Sequence, residues 1–401
     1  MRNTGITSMI ANSKAGIGGG FLAFIAGTLM LISNERDFKM TGDTIKEAES
    51  VVVNIEDVNT IDTALEGKLA YGVSTMQTDE IVEDELFGVA VNAIKLIRSV
   101  EFYQWVEKEH REARKDSNGN SETIVTYTYE KKWVDAPVNS SKFNNSRYRS
   151  LNWVIMQIDS MTKWADIVNW GAYKLPHFLK TKAIGQKPVT IKLSKENATR
   201  LELLLAKGAS SHTASALIKA ETTESDYVHH INVNTLHLGS DPSTPAIGDI
   251  RVEINHIPPG GSLSVIAQIQ GNTFTEYIAR NGKVFYSVNN GVDSKEKMLL
   301  DEHSNNSTNT WAMRIACILL VIFGIRLTLK PIGHLFSRIR FLSNIVNVGV
   351  KFVSTMLGLA WSLIVIALAW LYYRPVTALI IFAFVAAIIL LLKKTGDKRV
   401  N

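Results

Sequence analysis

The sequence predicts a multi-pass α-helical membrane protein. One N-terminal and three C-terminal spans flank a large mixed α+β, strand-led extramembrane domain between spans one and two. Three observations lead there. Phe352–Tyr373 and Val376–Leu392 are charge-free runs of 22 and 17 residues, separated only by Arg374-Pro375, and about 20 apolar residues suffice to cross a hydrocarbon core. The mean hydropathy is nevertheless only +0.06, too low for a chain that is mostly bilayer. Finally, Thr123–Val134 alternates Val125, Tyr127, Tyr129 and Trp133 with Thr126, Thr128, Glu130 and Lys132, the period of a strand.

Residues 1–14 form a cytoplasmic N-terminus with Arg2 and Lys14 and no acid. The first span is 15–33. Its 19 residues exceed a usual signal core and no small-residue cleavage site follows, so it reads as a retained anchor. Gly19, Ala23 and Gly27 recur at every fourth position, with Gly16 and Gly20 as a second pair. Small residues at that spacing let helix backbones approach closely in lipid. The large domain follows at 34–310.

The second span is 311–329, where Arg314 and Arg326 bracket an apolar core. With both arginines snorkelling outward the segment is long enough to cross; the alternative is an interfacial helix. Residues 330–351 read as a basic amphipathic cytoplasmic segment whose Arg338 and Arg340 suit an anionic lipid face. The third span, 352–373, repeats the small-residue device with Ser354, Gly358 and Ser362. Proline at the start of a helix is tolerated and displaces the residue before it, so Arg374-Pro375 makes a tight turn into the fourth span, 376–392. Trp311, Trp370, Tyr372, Tyr373 and Arg374 mark the membrane interface. A basic cytoplasmic tail, 393–401, closes the chain.

Charge sets the orientation. Residues 34–310 hold 30 Lys/Arg against 37 Asp/Glu, whereas the remainder holds 13 against 1. The basic excess belongs to the membrane segments, which makes it a topology signal rather than a nucleic-acid footprint. With four spans the basic segments at 1–14, 326–351 and 393–401 fall on one side, made cytoplasmic by the positive-inside rule. The acidic domain then lies in a lumen or periplasm.

Within that domain Ile97–Glu107 and Thr123–Val134 form a hairpin through Asp116–Asn120. Phe274–Asn289 is a second, turning at Asn281-Gly282. Asp249–His256 and Ser262–Gln270 are further strands. Leu151, Ile155, Ile158 and Thr162 keep helical spacing across Leu151–Trp170, and Ser194 caps a helix over Lys195–Lys207 that stops at Gly208.

Candidate chemistry is sparse. Read as one strand, the segment holding His229, His230 and His237 places His229 and His237 roughly 26 Å apart, beyond a shared ion. The single cysteine, Cys317, lies in a span, so the domain has no disulfide or cysteine–zinc site. Asp79-Glu80 and Glu83-Asp84-Glu85 read as a solvated acidic loop. No nucleophile elbow, phosphate loop or dinucleotide fingerprint occurs in an interpretable context. Asn139, Asn144, Asn197, Asn305 and Asn306 open glycosylation sequons, relevant only in a eukaryotic secretory membrane. No catalytic residue, metal or cofactor is expected.

At Leu96-x-Arg98-x-Val100-Glu101-x-Tyr103-Gln104-Trp105 the chain resembles the signature of the transmembrane protein 43 (LUMA) family, with Phe102 where methionine is usual. The likeness continues through Asp84, Phe87-Gly88-Val89, Tyr127, Tyr129, Trp133, Asn139–Phe143, Gly248–Val252, Thr310-Trp311, Asn347–Gly349 and Tyr373–Pro375. One departure is Arg147–Asn152, which replaces a histidine motif of the family. The physical reading of the signature is modest, with Tyr103 and Trp105 on one strand face and in the core.

The resemblance implies a four-span, non-enzymatic, self-associating scaffold. Eukaryotic members organise the endoplasmic reticulum and inner nuclear membrane and partner emerin and lamins. Similar bacterial proteins would act at the inner membrane, the source favoured here. Membrane lipids, further copies and other membrane proteins are the expected partners. An ion channel or a lipid-handling protein are the alternatives, though the spans offer few polar residues to line a pore.

Overall fold

The computed structural model describes residues 4–115, 121–212, 227–336 and 340–375. The described chain falls into two compact units. One is helical and takes in the described residues of Met1–Val52, Glu276–Ser287 and Lys295–Asn401; the other comprises Val53–Thr275 and Val288–Ser294.

Three long helices build the first unit: α1 (Thr4–Val51), a later helix Lys295–Phe336 and a last one Arg340–Tyr373. Segments Ile17–Val51, Lys295–Leu329 and Gly349–Tyr373 are long and apolar enough to cross a membrane. The first two helices outrun the expected spans 15–33 and 311–329. Local chemistry explains why. Between Ser33 and Val51 there is no proline, and Lys39 pairs with Asp43 one turn on. Asn34 Nδ2 donates to the Thr310 carbonyl, and Asn306 Nδ2 to that of Phe38. These contacts zip the two polar extensions together.

A hairpin, Tyr277–Ile278 with Val284–Phe285, clamps the same extension. Asn281 donates to the Met40 carbonyl, and Glu47 accepts from the Tyr277 hydroxyl and the Arg280 N–H. Burial lifts the Tyr277 hydroxyl above its ordinary pKa, and Glu47 adds to the shift. The turn at Asn281-Gly282 matches the sequence expectation, with Gly282 at φ +81°. The loop it closes is five residues long rather than two. The last helix ends at Tyr373, immediately before Arg374-Pro375. The expected fourth span 376–392, the tail 393–401, Arg338 and the turn 116–120 lie outside the described residues.

The second unit is strand-rich, with two larger sheets. The first contains β1 (Leu69–Gln77); the second is built on β2 (Lys95–Lys115) and β3 (Ser121–Val134), paired antiparallel as the alternation predicts. Then follow α2 (Lys195–His212), β4 (Val228–Asn232), β5 (Thr235–Leu238), β6 (Ile250–Ile257) and β7 (Ser262–Gln270). The helices Lys295–Phe336 and Arg340–Tyr373 are α3 and α4. The second sheet runs β4-β5-β6-β2-β3.

In the first sheet β1 pairs with β7, and the short strands Asn169–Trp170, Tyr173–Lys174 and Thr273–Thr275 complete a closed ring of pairings. Trp170, Tyr173 and Phe274 fill it with ring centroids 5.2–6.5 Å apart, and Trp170 Nε1 donates to the Leu263 carbonyl.

Two expectations fail. Leu151–Trp170 is not helical. Its backbone and side chains are recruited elsewhere: Ile155 N–H donates to the Gly248 carbonyl, and Met161–Trp164 adds as a strand to Lys95–Arg98 of β2. The helix capped by Ser194, whose Oγ accepts from Asn197 N–H, runs past Gly208 to His212. Gly208 is needed there for proximity rather than termination, since a Cβ would fall 1.6 Å from the Ile155 carbonyl oxygen.

Gly171 is the tightest turn of the ring. Its φ is +62°, and a Cβ would lie 2.1 Å from the Val58 carbonyl oxygen, which also accepts from Ala172 N–H. Gly171→Ala is therefore expected to destabilise this unit by about 1–3 kcal/mol. Thermal unfolding followed by tryptophan emission checks this, because Trp170 is adjacent.

Candidate functional site

The sequence-predicted residues gather in two places, one in each unit. In the helical unit, α1, α3 and α4 meet at a buried ion pair. Arg314 Nε and Nη2 donate to the two oxygens of Glu35, each at 2.6 Å. The two residues are 4% and 2% exposed. Trp370 Nε1 donates to Glu35 Oε2 at 2.7 Å, so one carboxylate is held from two other helices. The guanidinium lies 4.7 Å from the ring centroid of Trp311, 5.5 Å from Phe38 and 5.8 Å from Trp370. Arg374 stacks over the same Phe38 at 4.4 Å.

The expected snorkelling geometry does not hold for Arg314. Its head turns inward because Glu35, one turn beyond Leu31, offers a charge at matching height. Arg326 does reach the surface, as do Trp311 and Tyr372; Tyr373 is half-buried. Of Arg340, only its place at the start of α4 is described.

The small residues divide similarly. A Cβ on Gly324 would lie 2.5 Å from Phe24 N and 2.7 Å from Gly20 O. Gly27 meets Val321 in the same α1–α3 crossing, and Gly358 of α4 meets Ile322. Ser354 and Ser362 lie buried on the same side of α4 as Gly358. Ala23 is half-buried, whereas Gly19 faces open space. Trp361 Nε1 donates to Thr28 Oγ1 at 3.0 Å, tying α4 to α1.

In the strand-rich unit every signature residue braces β2. Arg98 Nη1 donates to both oxygens of buried Asp84 at 2.9 Å and its Nε to the Asp159 carbonyl. Glu101 accepts from Arg251, whose guanidinium lies 4.7 Å from the Trp133 ring centroid. Gln104 is buried, donating to the Trp153 carbonyl and accepting from Val138 N–H, each at 2.8 Å. Asn152 bonds both backbone groups of Trp105 at 2.9 Å.

Tyr103 and Trp105 do share a face, but the fully buried face is that of Phe102 and Gln104. The two aromatics are half-buried, 5.2 Å from Trp133 and 4.9 Å from Tyr148. Partial burial, followed by the Glu107 carboxylate it bonds, raises the Tyr129 hydroxyl above its ordinary pKa.

The acidic loop is correspondingly less solvated than expected. Asp84 is enclosed by its arginine, and Glu80 accepts from the N–H groups of Asp166 and Ile167. The histidine segment is a hairpin rather than one strand. β4 and β5 set His229 opposite His237 with rings 6.2 Å apart, and Asp249 Oδ2 lies 3.2 Å from His237 Nε2. Among the described residues no three His, Cys, Asp or Glu side chains converge as a metal site. Asp84, Glu101 and Glu35 are engaged by arginines, and Glu80 by backbone amides.

The family model described as Transmembrane protein 43 matches residues 102–375. The chain belongs to the transmembrane protein 43 family. Transmembrane protein 43 of Homo sapiens is 25% identical over 387 residues, covering 94% of this chain and 89% of its own length. The Pongo abelii protein gives the same figures. The Drosophila melanogaster homolog is 26% identical over 362 residues, covering 89% and 88%. No solved structure matches the chain. Family membership and the three long apolar helices make this an integral membrane protein.

Glu35, Phe38 and the Thr28–Trp361 contact went unread in the sequence. The available signal was an acid just beyond one apolar run and an arginine at the edge of another. The α1–α3 crossing predicts a sharp contrast. Gly324→Leu must push the two backbones apart and should cost about 1–3 kcal/mol or more. Gly19→Leu, facing open space, should shift stability by under about 0.5 kcal/mol. Thermal unfolding of both variants in mild detergent compares them.

Proposed function

We propose that this transmembrane protein 43 relative is a non-enzymatic integral membrane scaffold. It self-associates and organises assemblies of other membrane proteins, with both termini cytoplasmic and the strand-rich unit on the far side. The observation that carries this reading is the closure of the helical unit. Among its described residues the buried charges, Glu35 and Arg314, neutralise each other, while Leu319, Phe323, Leu363 and Leu368 point outward. Paired charges in apolar surroundings give a rigid body with lipid- and partner-facing sides, rather than the polar lining that conduction requires.

The signature strand supports the same reading, because its polar residues are spent on internal bracing. Anionic lipid at the cytoplasmic face complements the basic segments at 326–351 and 393–401. Light scattering of the full-length protein in native nanodiscs tests the proposal. A defined oligomer is expected; a monomer at every concentration would contradict self-association.

A further inference from the structure

β6 stops pairing with β2 at Ile250–Phe102, but β2 and β3 continue together from Phe102–Val134 to Lys115–Ser121. Past the sheet they form a two-stranded ribbon, in which Lys108–Glu112 are exposed on both faces. Such a ribbon is marginal by itself in water. The outer edge of β2 is tied down where the ribbon begins, by Asp249 at Tyr103 and by Asn152 at Trp105. Among the described residues no strand pairs with the outer edge of β3. Edge strands are ordinarily blunted with lysine, proline or a bulge. Ile124-Val-Thr-Tyr-Thr-Tyr129 has none of these: it is charge-free, β-branched and aromatic, and its register with β2 is unbroken.

We propose that this edge of β3 pairs antiparallel with the same edge of a second copy, about a two-fold axis at Tyr127. The inference rests on the self-association proposed above and supplies its surface. Backbone groups would accept any strand, so lateral side-chain pairs choose the occupant. The axis at Tyr127 sets Thr126 against Thr128 of the second copy and Val125 against its Tyr129. Threonine pairs and aromatic–β-branched pairs are both favourable cross-strand neighbours. An axis at Thr128 would instead set Val125 against Lys131. Helices that hold copies in one membrane raise their effective concentration, so a short edge suffices.

The test uses full-length protein in nanodiscs and detergent. Thr126→Glu/Thr128→Glu opposes like charges twice across the axis, while the residue at 128 stays opposite Lys108 within the ribbon. Its association should weaken about tenfold. Thr126→Lys/Thr128→Glu opposes unlike charges and should restore the assembly. Tyr127→Cys, beside the axis, should cross-link on mild oxidation, whereas the natural Cys317 is buried. An oligomeric wild type whose Glu/Glu variant folds with unchanged mass would overturn the β3 edge and leave the scaffold reading standing. So would a Tyr127→Cys variant that fails to cross-link. A monomeric wild type would overturn both.

Discussion

Two charges taken out of water among apolar helices must neutralise each other, and Glu35 and Arg314 do so through two parallel hydrogen bonds. The bidentate geometry matters because it satisfies both carboxylate oxygens while fixing the rotation of α1 against α3. Trp370 adds a third helix through its indole N–H, and Phe38 and Trp311 cover the guanidinium. The glycine crossing depends on the same register. Gly20 lies about four turns from Glu35 along α1, and Gly324 about three turns from Arg314 along α3. The two glycines meet only if the helices are aligned as the ion pair aligns them. A buried pair of this kind is weak evidence for net stability. Its role here is to exclude other registers, which apolar side chains on lipid-compatible helices discriminate poorly.

The strand-rich unit answers a different constraint. β2 is 21 residues long and must serve neighbours on both sides, so its backbone needs closing wherever a partner strand stops. Asn152 and the backbone of Gly248 and Asp249 close it, and the Gln104 side chain holds the loop groups of Trp153 and Val138 beside it. Arg98 and Glu101 point their charges at a buried acid and a stacked arginine. A signature made of such residues reports on architecture. It constrains which loops lie beside β2.

Much of this was legible in the sequence where one periodicity governs. Thr123–Val134, Asp249–His256 and Ser262–Gln270 became strands close to their expected bounds, because alternation of burial is a local pattern. Leu151–Trp170 misled for the converse reason. Its apolar spacing is helical, yet Ile155 and Met161–Trp164 are claimed by Gly248 and β2, partners far away in sequence. The candidate site was half legible. Arg314 stood out as an arginine in an apolar run, but its partner lies 279 positions away, and no local pattern couples them. His229 and His237 changed from distant to adjacent once a two-residue turn entered a stretch that reads as continuous strand.

The claim that the Glu35–Arg314 pair sets the packing of α1, α3 and α4 is tested most directly by a double-mutant cycle on unfolding in mild detergent. Glu35→Leu and Arg314→Met should each cost about 3–5 kcal/mol, since each strands a buried charge. The double variant should recover most of that loss, because neither charge is left alone. Single losses that simply add in the double variant would contradict the account, showing that the two residues act independently.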